Sequence, residues 1–322
     1  MSQHNHTTNR IVCQEPDGLN YLSDKSARGR ERPWKYHKMN SVYIAIAYED
    51  INMNKCERVK KCADTLVFSR KEGKFKLKSA NFCRVRLCPM CAWRRSLKTH
   101  AHMSRILEAA KPLGLQYLMV TLTMRNCSAD ELSVNLTRLI GGYKKLVTKA
   151  RVERAWQGWY RGVEITHNRQ SDTYHPHIHA LVAVKPRYFK DKTYISQADL
   201  SVLWQRSLGV DYTPVVDVRR TYGDSVHAVA EVAKYSTKAG DIIDFDDWGL
   251  TVSTLETLDK ALNKRRLIAY GGEFKRLHAL LNLDDTEDGD LVHVDGEDEI
   301  DIGGEEVCYF WHTGLSSYVQ CD

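Results

Sequence analysis

Five of the nine cysteines lie between Cys56 and Cys91, and this cluster constrains the fold more than any other feature of the sequence. In a reducing cytosol, a cluster of this kind indicates metal binding rather than disulfides. The CPMC run supplies two thiolates in one tight turn, and TLVFSRKEGKFKL predicts a hairpin that turns at residues 72–73. We predict one tetrahedral Zn²⁺ site, with Cys56 as an alternative to the first of these ligands: Cys62, Cys83, Cys88 and Cys91.

The charge of the chain is distributed unevenly. From Asp284 to Asp322 there are 13 acidic residues and no Lys or Arg, which leaves 28 acidic against all 47 basic residues in the first 283 positions, a net charge of +19. Such a basic body suits a polyanion, because Lys and Arg release counterions when they bind phosphates. No apolar run reaches the length of a membrane span and the N-terminus lacks the apolar centre of a signal peptide, so we expect a cytoplasmic protein without a membrane partner.

Hydrophobic periodicity predicts an α+β domain. Apolar alternation predicts strands over 117–124, 159–168, 174–184 and 214–219. A period of 3.6 predicts helices over 96–111, 130–150 (interrupted at Gly141-Gly142), 197–208, 225–241, 252–264 and 273–281. This order fits an antiparallel central sheet with flanking helices on a ferredoxin-like plan, preceded by a small zinc-binding unit.

Two histidines on one predicted strand form the first candidate site. In YHPHIHALVAV, His177 and His179 are two residues apart, so their imidazoles leave the same face of a strand. If this strand pairs with VEIT through the 167–176 loop, Glu164 lies across from the imidazoles. Two imidazoles and a carboxylate form a common site for a divalent ion that also binds a substrate phosphate. We therefore predict Mn²⁺ or Mg²⁺ on Glu164, His177 and His179.

A second group of reactive side chains lies in SVHAVAEVAKYSTKAGD, residues 225–241. The alanines, with Gly240 at the end, predict a helix. Glu231, Tyr235 and Lys238 then share one face at i, i+4 and i+7. A carboxylate, a phenol and an amine are thereby aligned on one predicted face. Taken alone, this segment is better explained by a packed tyrosine and a surface ion pair than by a reactive site.

The sequence divides into four predicted units. A flexible basic arm (1–40) precedes the cysteine-rich zinc-binding region (41–97), the catalytic domain with its C-terminal helices (98–283) and an acidic tail (284–322). Acidic tails are usually solubilising and disordered, although the aromatic C-terminus suggests that this one docks, with its acidic residues in the DNA groove. Arginines around the zinc cysteines predict DNA contact, and a structural clamp is the alternative: Arg84, Arg86, Arg94 and Arg95.

Three motifs occur in an order that resembles a known family. VTLT (120–123), HPHIH (175–179) and EVAKYSTK (231–238) are similar to the motifs of HUH endonucleases that start rolling-circle replication of plasmids. The single-tyrosine plasmid Rep branch places a Glu four residues before its nucleophilic Tyr, as Glu231 and Tyr235 stand here. CRVRLCPMCAWRRS and KRRLIAYGGEF also resemble that branch. His175 stands where relatives often carry Asn, so it is either an additional ligand or a hydrogen-bond donor behind the ligands.

The resemblance implies site-specific nicking and joining of one DNA strand at a plasmid origin. Tyr235 would form a 5′-phosphotyrosine linkage and leave a free 3′-hydroxyl, with the metal ion polarising the scissile phosphate. Lys238 would favour the phenolate or hold the phosphate, and Glu231 would activate the water that ends replication. The implied partners are plasmid origin DNA, single-stranded at the nick, and a host helicase and polymerase.

Two other functions remain open on the sequence alone. An HUH single-strand transposase would share these motifs. A non-catalytic, zinc-dependent DNA-binding regulator would explain the cysteines and the basic charge, but not the alignment of Glu231, Tyr235 and Lys238. The deciding observation is whether the Tyr235 hydroxyl lies close to Glu164 and the two histidines.

Overall fold

Two antiparallel sheets with helices packed on them make up the computed structural model, which describes residues 18–26, 29–221, 229, 237–294 and 304–321. This arrangement confirms the predicted α+β class. The helices are α1 (Trp34–Tyr48), α2 (Met53–Lys60), α3 (Pro89–Ala110), α4 (Ala129–Val147), α5 (Ala150–Ala155), α6 (Gln197–Leu208), α7 (Ala239–Ile242), α8 (Trp248–Leu262) and α9 (Gly272–Leu280). Within the described ranges, no helix combines the length and the apolar character needed to cross a bilayer.

The larger sheet has five strands. They are β3 (Gln116–Thr123), β4 (Trp156–Asn168), β5 (Thr173–Val184), β6 (Val216–Arg220) and β7 (Ile268–Gly271), in the spatial order β6-β3-β5-β4-β7. Every neighbouring pair is antiparallel. β4 and β5 form the predicted hairpin, and β5 lies at the centre of the sheet. The strand that carries the two histidines is therefore held by a neighbour on each side.

The two faces of this sheet bury different side chains. Val163, Ile165 and Ile178 belong to a core that includes buried residues of α4, α6 and α8. On the opposite face, Tyr160 and Leu181 pack with residues of α3 and α9. Because side chains alternate along a strand, His177 and His179 share the face of Leu181. The candidate metal site therefore lies on the face that is partly covered by α3 and α9.

Helix α4 is continuous where the sequence predicts an interruption. It begins after Ser128, whose backbone N–H donates to Glu131 Oε2 at 3.2 Å, and it runs through Gly141-Gly142 to Val147. A Cβ on Gly142 would lie 2.9 Å from Leu208 Cδ2 of α6. The predicted interruption is wrong because Gly142 provides room for the close packing of α6 rather than a break in the helix.

The smaller sheet brings residues 65–80 together with residues 305–320. β1 (Thr65–Lys71) and β2 (Lys74–Ala80) form the predicted hairpin, with positive φ angles at residues 72 and 73. β8 (Glu305–His312) pairs with β1, and β9 (Ser317–Gln320) pairs with β8. Residues 304–321, expected to belong to an acidic tail, are thus an integral part of a sheet.

Residues 18–26 and 29–40, the described part of the predicted flexible arm, are packed against the rest of the protein, whereas residues 1–17 and 27–28 lie outside the described residues. α1 begins at Trp34, whose side chain is buried and packs edge-on against Trp93 at a centroid distance of 4.7 Å. Tyr21 forms a β-bridge with Val319 of β9. Burial of aromatic side chains therefore orders residues whose polar sequence predicted a flexible arm.

Candidate functional site

The β4–β5 hairpin brings Glu164, His177 and His179 together. Glu164 is directly opposite His177 in the strand register, and Gly162 is opposite His179. Glu164 Oε2 lies 3.5 Å from His177 Nε2 and 3.0 Å from His179 Nε2. All three side chains are at most partly exposed. The predicted cross-strand arrangement of these residues is present in the structure, while their role as metal ligands stays a prediction.

Hydrogen bonds behind the imidazoles orient them towards the carboxylate. His177 Nδ1 donates to the backbone oxygen of His175 at 3.0 Å, and His179 Nδ1 lies 3.2 Å from Thr121 Oγ1. A neutral imidazole that donates from Nδ1 keeps its lone pair on Nε2. The Nδ1 hydrogen bond of His177 therefore leaves its Nε2 available as a metal ligand, which is the usual way that a hydrogen bond behind a histidine fixes its ligating nitrogen.

The electrostatics of the cluster favour an ionised carboxylate. Burial by itself would raise the pKa of Glu164, but hydrogen bonds and charge interactions with His177 and His179 outweigh burial and hold this pKa well below its ordinary value. Burial, together with the charge of His177, lowers the pKa of His175. The cluster thus presents one anion at neutral pH.

The spacing of these atoms fits a small divalent cation. Octahedral coordination at about 2.1 Å places neighbouring ligands about 3.0 Å apart, close to the distances from Glu164 Oε2 to the two Nε2 atoms. Three protein ligands on one side leave the remaining positions for water and substrate oxygens. His175 is outside this group, since its Nδ1 donates to Asn126 Oδ1 at 2.8 Å. In the structure, the backbone oxygen of His175 accepts the hydrogen bond from His177 Nδ1 and so orients that imidazole.

Lys238 lies beside this cluster, on a different backbone from the one predicted. Its Nζ is 3.5 Å from Glu164 Oε1, and its side chain is 50% exposed. The Lys238 backbone is extended, with φ −84° and ψ 149°, and α7 starts after it. The prediction that one helix runs through residue 238 to Gly240 is therefore wrong. Glu231 and Tyr235 lie outside the described residues.

Helix α7 is anchored to the end of the β4–β5 hairpin. Arg169, in the hairpin loop, donates from Nη2 to the backbone oxygens of Gly240 and Ile243, the latter at 2.5 Å. Asp241 Oδ2 accepts a hydrogen bond from the Lys238 backbone N–H at 3.2 Å. These contacts fix the start of α7 relative to β4. Lys238 consequently extends towards Glu164 from a braced position.

Four cysteines form a second candidate metal site. One sulfur from each lies within 4.8 Å of the others: Cys62, Cys83, Cys88 and Cys91. The Cys91 Sγ is 3.5 Å from Cys62 Sγ and 3.7 Å from Cys83 Sγ, whereas tetrahedral Zn–S bonds of about 2.3 Å separate the sulfurs by about 3.8 Å. Cys56 is buried on α2 outside this group.

The surroundings of the four sulfurs suit a bound cation. The backbone N–H of Cys83 donates to Cys62 Sγ, and that of Arg84 donates to Cys91 Sγ, both at 3.3 Å. Burial by itself opposes ionisation of Cys88, but hydrogen bonds from the other three thiols lower its pKa well below the usual value. A buried thiolate stabilised in this way needs a positive partner, and a metal ion in the centre of the group provides it.

Comparison with known proteins identifies the family. A family model described as "Replication protein" matches residues 74–319. The chain belongs to the replication protein family. The resemblance to replication initiators inferred from the motifs is thereby confirmed.

Individual relatives of this replication protein cover nearly its whole length. A "Protein rep" of Bacillus amyloliquefaciens is 40% identical over 92% of this chain and 96% of its own. A "Protein rep" of Streptococcus pneumoniae serotype 2 is 36% identical over 92% of this chain and 94% of its own. One of Lactiplantibacillus plantarum is 38% identical over 92% and 98%. No solved structure matches the chain significantly.

The arginines predicted to contact DNA instead hold residues 284–292, here called the acidic segment. Arg94 is 1% exposed and donates to the backbone oxygens of Leu291 and Val292 at 2.9 and 2.7 Å. DNA contact by Arg94 is therefore wrong for this structure, because its guanidinium is enclosed and occupied. The other three bind the same segment.

The other three arginines contact residues 287–289 of the acidic segment. Arg86 Nη1 pairs with Glu287 Oε1 at 2.8 Å, and Arg95 Nε donates to the Glu287 backbone oxygen at 3.0 Å. Arg84 Nη1 donates to the backbone oxygens of Asp288 and Gly289 at 2.8 and 3.2 Å. These contacts match a structural clamp, which was the alternative to DNA contact for these arginines.

Two residues of this replication protein support the histidines without having been predicted as site residues. Thr121 on β3 is opposite His179 on β5. The one sequence signal for this contact is the alternation in VTLT, which places Thr121 on a single face of its strand. Asn126 binds His175 through Oδ1 and donates from Nδ2 to Thr173 Oγ1 at 3.2 Å. No local pattern marks Asn126, because its partners lie 47 or more residues along the chain.

Proposed function

We propose that this replication protein starts rolling-circle replication of a plasmid by nicking one strand at the origin. The observation that carries the proposal is the cluster of Glu164, His177 and His179, with Lys238 beside it, in a member of a replication protein family. A divalent cation on the cluster would supply positive charge to an oxygen of the scissile phosphate. Mn²⁺ and Mg²⁺ suit the mixed oxygen and nitrogen donors.

The side chains of the protein would position and activate the nucleophile. Tyr235 is three residues before Lys238, and three residues of chain span at most roughly 11 Å, a separation over which its phenol would reach the same phosphate. A free phenol has a pKa of about 10 and is a poor nucleophile at neutral pH. The half-exposed ammonium of Lys238 would favour the phenolate through its positive charge.

The reaction forms one bond and breaks one. The Tyr235 phenolate oxygen bonds to phosphorus, the bond from phosphorus to the 3′-oxygen breaks, and that oxygen takes a proton to become a 3′-hydroxyl. The products are a 5′-phosphotyrosine linkage and a primer end that a host polymerase extends while a host helicase opens the duplex. After one round, Glu231 would activate water to cut the regenerated junction.

The four cysteines would hold Zn²⁺ as a structural ion. All four positions of a tetrahedral ion would be filled by sulfur, which is the arrangement of closed structural sites rather than catalytic ones. Cys88 is the residue before α3 and Cys91 lies in its first turn, and α3 packs on the face of the sheet that carries the histidines. Zinc would therefore fix the start of a helix that borders the active site.

A covalent-adduct assay tests the nickase proposal. The protein is incubated with Mn²⁺ and an end-labelled single-stranded oligonucleotide that carries the origin of its own replicon, then denatured and separated by electrophoresis. We expect a labelled protein–DNA band that is lost in Tyr235→Phe and retained in Tyr36→Phe, a control that removes the hydroxyl of an exposed tyrosine. The double variant His177→Ala, His179→Ala also loses the band.

Other outcomes identify the rival functions. A band of normal intensity in Tyr235→Phe removes the nucleophile assignment. Binding without any covalent band points to a non-catalytic regulator. Joining of transposon ends, with no activity on the origin strand, points to a transposase of the same superfamily.

A further inference from the structure

The far end of the larger sheet carries a groove that the proposed chemistry does not use. The loop 185–192, which follows β5, forms one wall, and residues at the ends of β3 and β6 complete it around a volume of 740 Å³. β5 rises about 3.4 Å per residue, so Val184 lies roughly 17 Å along the strand from His179. The groove is therefore a separate surface from the Glu164 cluster.

The groove is strongly basic. Four cations line it, Arg187, Lys190, Lys192 and Arg220, against a single acid, Asp191. All four basic residues are exposed. Asp191 Oδ1 accepts a hydrogen bond from the backbone N–H of residue 193 at 3.0 Å, so this acid closes a turn of the loop. An excess of exposed positive charge in a concave surface attracts a polyanion.

An aromatic cluster holds the basic loop in shape. The Tyr188 side chain is 3% exposed, and its hydroxyl donates to the Ile195 backbone oxygen at 3.2 Å and accepts from the Ile195 N–H at 3.1 Å. Phe189 is 38% exposed, and the Arg220 guanidinium lies 4.7 Å from the centre of its ring. A loop fixed in this way loses less conformational entropy when it binds a ligand.

We propose that this groove binds the phosphate backbone of duplex DNA beside the nick site. Several cations on a rigid wall suit a ligand with regularly repeated charge, and duplex DNA rises 3.4 Å per base pair. A distance of roughly 17 Å then corresponds to about five base pairs from the scissile phosphate. The inference rests on the proposed function for the choice of DNA as the polyanion and for the position of the nick.

The binding assay uses the full-length protein without added Mn²⁺ or Mg²⁺. A labelled 30-base-pair duplex of arbitrary sequence, and the corresponding 30-nucleotide single strand, are titrated at NaCl concentrations between 50 and 200 mM. The groove variant is Arg187→Ala, Lys190→Ala, Lys192→Ala. The matched control, Arg138→Ala, Lys144→Ala, Lys145→Ala, removes one Arg and two Lys from exposed positions on α4.

The groove variant is expected to bind the duplex at least about tenfold more weakly at 50 mM NaCl, with a salt slope smaller by about 2.7, because three phosphate contacts each contribute about 0.9. The control variant retains the wild-type slope. A loss for the single strand alone assigns the groove to single-stranded DNA and overturns the duplex assignment. Equal losses in both variants, or no loss in the groove variant, overturn the proposal.

The assay also separates this inference from the nickase proposal. If the groove variant loses duplex binding while the wild-type protein forms no covalent adduct at its origin, the groove is retained as a DNA-binding surface and the nickase function fails. If the wild-type protein nicks and the groove variant binds duplex normally, the groove proposal fails alone. A thermal unfolding midpoint equal to that of the control shows that the groove variant is folded.

Discussion

Glu287 links the cysteine-bearing part of the protein to the sheet that carries the candidate active site. Its side chain is 4% exposed, and Oε1 pairs with Arg86 Nη1 at 2.8 Å. The same carboxylate accepts hydrogen bonds from the backbone N–H groups of Leu267 at 3.2 Å and Ile268 at 3.4 Å, next to β4. Glu287→Gln keeps the shape of the side chain and removes its charge, so it tests this link directly.

The structure sets the size of the expected effect. A hydrogen bond to a charged group contributes about 1.5–3 kcal/mol, and the amide keeps one acceptor oxygen while placing an NH₂ group against donors. Arg86 is 28% exposed and regains water when its partner is neutralised, so the low end of the range applies. Two weakened contacts give a loss of about 3 kcal/mol. At about 2 °C per kcal/mol for a chain of this size, Tm falls by about 6 °C.

Thermal unfolding followed by circular dichroism measures this effect. The matched control is Glu305→Gln, which neutralises a carboxylate that pairs with Arg70 at 2.7 Å on the surface. Exposed ion pairs contribute little to stability, so the control retains the wild-type Tm. Equal Tm values for the two variants would refute the conclusion that burial of Glu287, rather than its ion pair alone, stabilises the protein.

Three further predictions concern the reaction, the cysteine cluster and the response to pH. Glu231→Ala forms the covalent adduct but releases few finished circles in a plasmid replication assay, and equal loss of both steps would contradict the assigned role. Cys88→Ser lowers the zinc content measured by atomic absorption from one ion per chain towards zero, whereas Cys56→Ser leaves it unchanged. Burial lowers the pKa of His102 to about 4, with smaller opposing and reinforcing effects from nearby charges. The unfolded chain then binds more protons between pH 6.5 and 4, so stability falls by up to about 3 kcal/mol as the pH drops through this window, and His102→Gln flattens the unfolding profile there.

Local sequence patterns were sufficient to predict the Glu164 cluster. The two-residue spacing of His177 and His179, and the alternation in VEIT, determine which side chains share a face once the two strands pair. The short spacing of Cys88 and Cys91 similarly indicated a shared ion, and the hairpin between β1 and β2 brought the other two cysteines close. These features depend on contacts between segments that are neighbours in the sequence.

Features that depend on distant contacts were not predictable in the same way. The polarity around Arg94 indicates a surface residue, but the acidic segment covers it from almost 200 positions away. Gly142 has the composition of a helix break, and only the proximity of Leu208 explains why the helix continues. Lys238 was placed on a helix by alanine content, whereas its position next to Glu164 depends on the anchoring of α7 by Arg169. In each case, the pattern within a segment predicts its secondary structure but not the distant residues that it contacts.

The pairing of β8 with β1 has a consequence for synthesis of the protein. Val67 is opposite Cys308, which is translated 241 residues later. Until then, one edge of β1 has no strand to bond with, and an unpaired edge is prone to aggregate with other chains. A prematurely terminated product would keep that edge open and become a target for proteases. Synthesis of β8 thus acts as a checkpoint for a stable β1–β2 hairpin.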